Sequence, residues 1–137
     1  MPTTPRERTA AQRAGDAAES HVAGVLEVAG WQILGSHVRA GRSELDIVAI
    51  DPGPPRTLVV LEVRWRAGRE YGLPEETLDR AKRAHLRTGL ARLLAAGHLP
   101  DGARVPALPV RVDLVVVEPS VGPAGAVRSR HHRAVEL

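Results

Sequence analysis

The sequence predicts an α/β domain: a mixed sheet between helices, in the order helix, three strands, helix, strand. Three observations carry this. Apolar residues recur at helical spacing over residues 7–29 and again over 74–97. Runs rich in Val, Ile and Leu fill residues 31–38, 44–50, 57–65 and 110–117. Gly- and Pro-rich punctuation separates most of these runs. The 137 residues suit one domain, and a domain of that size buries roughly two thirds of its unfolded surface. The expected organisation is a flexible N-terminus over residues 1–6, one domain over 7–118, and a Pro/Gly-rich, then basic tail over 119–137.

In the first helix Ala18, Val22, Val25, Leu26 and Ala29 form an apolar stripe, and Gly30 stops it. Strand one is followed by a tight basic loop, Arg39-Ala40-Gly41-Arg42. Strand two ends at Asp51-Pro52-Gly53-Pro54-Pro55-Arg56, which cannot continue a ladder, so strands two and three are expected as an antiparallel hairpin. Strand three contains Leu58-Val59-Val60-Leu61, a nearly continuous apolar run that suits a central position. Pro74, with Glu75 and Glu76 behind it, suits the start of the second helix, which Gly97 ends. A helix between strands three and four makes a crossover, so those two strands are expected to be parallel.

Composition narrows the chemistry. There is no Cys, which excludes disulfides, thiolate metal sites and cysteine nucleophiles. The first residues are polar, with Arg6, Glu7, Arg8 and Arg13, and no apolar run approaches the ~20 residues that span a bilayer. A soluble, cytoplasmic protein with no membrane partner is expected. The formal net charge of +3 and pI near 10.5 are compatible with a polyanionic partner. Glycine-rich phosphate loops, G-x-S-x-G elbows and HExxH motifs are all missing, and the six His form no metal-ligand pattern.

The acids stand out because they interrupt apolar strands. Glu44, Asp46, Val48 and Ile50 alternate onto one face of strand two, and Leu58, Val60, Glu62, Arg64 and Arg66 onto one face of strand three. A hairpin closed symmetrically about Pro54 sets Asp46 opposite Glu62, with β-carbons ~5 Å apart. Closed half a step earlier, it pairs Asp46 with Leu61 instead. Two carboxylates that close repel one another unless a proton or a cation intervenes. Mg²⁺ suits the role, since it takes oxygen ligands and typically one or two carboxylates.

Gly15-x-x-Ala18-Glu19, Ser43-Glu44-Leu45-Asp46, Glu62-Val63-Arg64-x-Arg66, Lys82 and Arg111-Val112-Asp113 stand in a fixed order along the chain. This ordered set resembles the YraN-type family of uncharacterised proteins, itself similar to archaeal Holliday-junction resolvases of the PD-(D/E)XK nuclease superfamily. The resemblance covers residues 15–117. It implies a restriction-endonuclease-like αβββαβ core with Asp46 and Glu62 as ligands of Mg²⁺ or Mn²⁺. It further implies the Val63 main-chain carbonyl as another ligand, Glu19 as an additional ligand or orienting group, and Glu44 as an acid behind them. The implied activity is metal-dependent endonuclease hydrolysis of DNA phosphodiester bonds, with a preference for branched structures and a homodimeric state.

One position departs from the pattern. The superfamily's catalytic Lys is expected two residues after Glu62, where this chain has Arg64. Arg cannot give up a proton near neutral pH, so it can stabilise charge but cannot act as general base. Lys82 is the only Lys in the chain, and it is the candidate to supply the missing ammonium from the second helix. Arg39, Arg42, Arg66, Arg69, Arg83 and Arg87 are candidates to flank the centre and hold phosphates without reading sequence. Two further readings stay open: a nuclease fold that binds nucleic acid or acts as a scaffold without catalysis, and a protein-interaction module with no nucleic acid.

Overall fold

The first helix, α1 (Ala10–Val28), is opened by Thr9, whose side chain accepts from the Gln12 amide while the Gln12 side chain accepts from the Thr9 amide. The structure is a computed structural model, and it describes residues 7–66 and 78–137. After α1 come β1 (Gln32–Ala40), β2 (Ser43–Asp51), β3 (Thr57–Trp65), α2 (Arg80–Ala96), β4 (Val110–Pro119) and β5 (Val127–His132). The expected helix–three strands–helix–strand order is present, with one strand added.

The five strands form a single mixed sheet in the order β1-β2-β3-β4-β5. All neighbours pair antiparallel except β3 and β4, which are parallel as the crossover through α2 requires. β3 is central and buried on both faces, which is why its run reads as continuous rather than alternating.

The two helices cover opposite faces. Ala18, Val22 and Leu26 of α1, at four-residue spacing, pack with Trp31 on Ile47, Ala49, Val59, Leu61, Val115 and Val117. On the other face Leu86 and Leu93 of α2, with Leu78 and Leu99, pack on Val48, Leu58, Val60, Val112, Leu114 and Val116. Burying a Leu of this kind stabilises the fold by roughly 1.5–3 kcal/mol. Gly89 lets α2 come close: a Cβ there would lie 3.0 Å from both Leu45 Cδ2 and Ser43 Cβ.

Two expectations are corrected. The second helix begins at Arg80, capped by Asp79, whose side chain accepts from the Lys82 amide. It does not run unbroken from Pro74, because Asp79 is an extended cap residue. Pro74, Glu75 and Glu76 lie outside the described residues. The basic segment taken for a tail contains β5, paired on β4 from Leu114↔His132 to Pro119↔Val127. It has no apolar alternation, and acids buried on β4 hold it in place. Arg128 and Arg130 meet Glu118 at 3.0 and 3.4 Å, and His131 meets Asp113 at 2.8 Å.

Candidate metal centre

The β2–β3 ladder runs from Asp51↔Thr57 to Ile47↔Leu61, and continuing that register by one residue sets Asp46 beside Glu62. The hairpin thus closes in the register that brings the two acids together. The ladder ends there because Asp46 enters it with its side chain: Oδ2 accepts from the Val63 amide at 2.9 Å. Simple alternation also fails along β2. Leu45 and Val48, which alternation would put on opposite faces, both pack on the α2 side, while Ile47 packs on the α1 side. Asp46 lies at this break, where acids approaching from either face can reach it.

From the α2 side comes Glu62, whose side chain is only 4% exposed. Its Oε1 lies 3.1 Å from Lys82 Nζ and 3.4 Å from Arg64 Nε. Its Oε2 is buried with no hydrogen-bond partner among the described residues. Burial first, and then the Asp46 charge, push the Glu62 carboxyl up to about 7, although Lys82 and Arg64 pull the other way. A carboxylate held like this is short of positive charge.

From the α1 side comes Glu19. Burial, then Asp46, raise its carboxyl to about 7 as well, against the pull of His37. His37 Nε2 stands 2.7 Å from Glu19 Oε2, close enough for an ion pair but without hydrogen-bond geometry. The His37 Nδ1 lies 2.9 Å from Glu44 Oε1, which together with the neighbouring acids raises the imidazole pKa. Glu44 is thus linked to Glu19 through His37.

Two carboxyls, Glu62 and Glu19, therefore converge on Asp46, and among the described residues the nearby cations do not offset their desolvation. The donor set fits a hard divalent cation: two carboxylates at one point, one of them with an unused buried oxygen. Asp46 and Glu62 would hold such an ion, and Val63 already contributes its amide to fix Asp46.

A profile of the uncharacterised protein family UPF0102 matches residues 18–117. The chain belongs to this family. UPF0102 proteins similar to it include that of Symbiobacterium thermophilum, 39% identical over 119 residues, spanning 87% of this chain and 92% of the relative. That of Roseiflexus castenholzii is 38% identical, spanning 80% and 81%. That of Bifidobacterium longum subsp. infantis is 35% identical, spanning 79% and 82%. The matched stretch of this UPF0102 chain contains Glu19, His37, Glu44, Asp46, Glu62, Arg64 and Lys82.

The basic residues separate into groups. Arg39, Arg42 and Arg87 are exposed, and Arg42 lines a recess of about 220 Å³ with Ser43, Glu44, Lys82, His85 and Leu86 beside the centre. Arg83 is committed elsewhere, donating to the carbonyls of Leu78 and Glu136 at 2.7 and 2.6 Å. Arg66 is buried, with 9% exposure, so it does not join the exposed basic face. Arg69 lies outside the described residues. Among these residues no helix is long and apolar enough to cross a membrane.

Arg111-Val112-Asp113 does not join Asp46 or Glu62. Asp113 is fully buried and accepts from Arg111, His131 and the Ala134 amide, while Arg111 also donates to Asp51 at 2.9 Å. Burial raises the Asp113 carboxyl, but these donors outweigh it and hold it at about 2. Arg111 and Arg133 both lie 5.8 Å from the Trp31 ring. This network ties β5 and the residues after it to the sheet.

Sequence reasoning missed His37 and Asp16. Asp16 sits three residues before Glu19 on one helix, a signal that was legible. His37 gave none, since a histidine on an edge strand reads as solvated.

Proposed function

We propose that this UPF0102 protein is a metal-dependent endonuclease-like protein that hydrolyses DNA phosphodiester bonds, with Asp46 and Glu62 as ligands of Mg²⁺ or Mn²⁺. The observation that carries this reading is the buried Glu62 Oε2 without a hydrogen-bond partner, on a carboxyl that also feels the charge of Asp46. The Val63 carbonyl is the proposed further backbone ligand. A bound ion supplies charge stabilisation at the phosphate and a water of lowered pKa.

The protein's own groups do the rest. Asp46 is kept in orientation by the Val63 amide. Arg64 stays charged throughout and neutralises developing negative charge at the phosphate. Lys82, at the N-terminal turn of α2, carries an ammonium that can exchange Glu62 for a substrate oxygen and move a proton, which Arg64 cannot do. Arg39, Arg42 and Arg87 hold flanking phosphates. A preference for branched DNA and a homodimeric assembly follow from the resolvase resemblance and, with a cytoplasmic location, belong to this proposal.

A second reading has its own observation. Arg64 occupies the position expected for the catalytic Lys, and both cations already contact Glu62, so the fold can serve as a nucleic-acid binder without turnover. The deciding measurement is cleavage of linear, nicked, flapped and four-way DNA with Mg²⁺ or Mn²⁺, comparing wild type with Glu62→Ala. Cleavage that the substitution abolishes supports the nuclease. No cleavage by either, with DNA retention that weakens as salt rises, supports the silent binder.

A further inference from the structure

Helix α1 carries two apolar stripes, and only one of them packs on the sheet. Ala18, Val22 and Leu26 are buried there. The second stripe, Ala14, Ala17, His21, Gly24 and Val28, is exposed or half-buried, at alternating spacings of three and four residues. That alternation is the seam of a helix that faces another helix. Beside its N-terminal half runs an apolar groove of about 480 Å³, with Ala14, Ala17 and His21 on one wall and Trp65, Val117 and Val127 on the other. At its C-terminal half apolar side chains stand in solvent instead: Val25 and Val28 are 46% and 91% exposed.

The helix itself selects the occupant. In an antiparallel pair of α1 helices about a two-fold axis at His21, positions equally far from His21 face each other. Val28 of one copy then faces Ala14 of the other, seven residues to either side, and Val25 faces Ala17, four to either side. The exposed valines of each copy thus meet the groove of the other. Charge agrees with this direction. Arg13, Ser20 and Glu27 flank the seam at seven-residue spacing, and the antiparallel pair sets Arg13 of one copy beside Glu27 of the other. A parallel pair would set like charge against like. Gly24 is an independent sign of close approach. It is exposed, and a Cβ there would meet nothing within 4 Å, so no contact among the described residues calls for glycine. Gly is a poor residue for a helix interior, and what it accommodates is a neighbouring backbone from outside the chain.

We propose that the groove beside α1 is an interface between two copies of this chain, filled by α1 of the second copy, antiparallel about a two-fold axis at His21. The inference names the surface for the homodimeric assembly proposed above and rests on that assembly. It requires no metal, no turnover and no nucleic acid.

The test is sedimentation equilibrium of the full chain, metal-free and without DNA, for wild type, Val28→Glu, Arg13→Glu, Glu27→Arg and the Arg13→Glu/Glu27→Arg double variant. The expected result is a wild-type dimer whose dissociation constant rises at least tenfold in Val28→Glu. Each single charge reversal should raise it severalfold, and the double variant, which restores opposite charges across the pair, should recover most of the loss. Val28 is 91% exposed, so Val28→Glu is chosen to leave the chain folded. Should its thermal midpoint nonetheless collapse, the charge reversals carry the test. A dimer that Val28→Glu leaves intact overturns this surface and keeps the homodimeric assembly. A double variant weaker than either single reversal overturns the antiparallel register, and the proposal with it. A wild type that stays monomeric overturns both the surface and the assembly, and leaves the groove to a different partner.

Discussion

Lys82 Nζ stands 3.1 Å from Oε1 of Glu62, a carboxylate on the central strand that is otherwise desolvated and faces Asp46. The single Lys of the chain is therefore the counter-ion of the most buried glutamate among the described residues, and Arg64 is the weaker second contact at 3.4 Å. The consequences can be measured.

Glu62→Gln is expected to stabilise the metal-free protein at pH 8 and to leave it nearly unchanged at pH 4. The folded-state pKa is raised from 4.5 to about 7. Stability is thus fully present below the unfolded value and is lost as pH rises through about 7. The size is on the order of 1–3 kcal/mol. Urea unfolding in chelator at the two pH values checks it, and a variant less stable than wild type at pH 8 would count against the frustrated centre.

Lys82→Ala removes the nearest compensating charge and leaves Glu62 more frustrated. At pH 8 without metal the variant should unfold with about 1–3 kcal/mol less stability, and a divalent cation should restore part of the loss. Lys82→Arg separates structure from chemistry: it keeps the charge, so stability should hold. If the ammonium moves a proton, cleavage should fall by about 10²-fold. Unchanged cleavage in Lys82→Arg would remove Lys82 from the mechanism.

Asp113 acts in the opposite direction. Its carboxyl is held down from 3.8 to about 2, so its contribution is present above the unfolded value and is lost as pH falls through about 2. The contribution is about 2 kcal/mol. Asp113→Asn should flatten acid unfolding between roughly pH 4 and 2. It should also loosen β5, visible as faster amide exchange at residues paired with β4. Acid unfolding as steep in the variant as in wild type would contradict this account.

Gly89→Val should lower stability by roughly 1–3 kcal/mol, because its Cβ would begin 3.0 Å from Leu45 and Ser43. Pushing α2 outward also draws Lys82 from Glu62, so the expected signature is a loss of stability at pH 8 larger than at pH 5. Equal losses at both would show that α2 does not couple to the centre.

Much of this was legible in the residues. Thr57–Trp65 was read as a strand with its observed bounds because a continuous run of Leu and Val has one good place in a sheet, the middle. The parallel β3–β4 pair followed from the helix between them. The basic segment of β5 was not legible, since what holds Arg128, Arg130 and His131 are acids buried on another strand. Nor was the start of α2, because Asp79 caps the helix five residues after Pro74 offers a competing signal.

The sequence by itself determined the α/β order, the two acids and the identity of their cations, because periodicity, punctuation and residue type are local properties. Only the tertiary structure decided the register that sets Asp46 beside Glu62, the break in β2 that exposes Asp46 to both faces, and the meeting of α1 with β1 at His37. Register and helix docking depend on how whole faces pack, and a one-residue slip, invisible in any single strand, would have sent Asp46 to Leu61 instead.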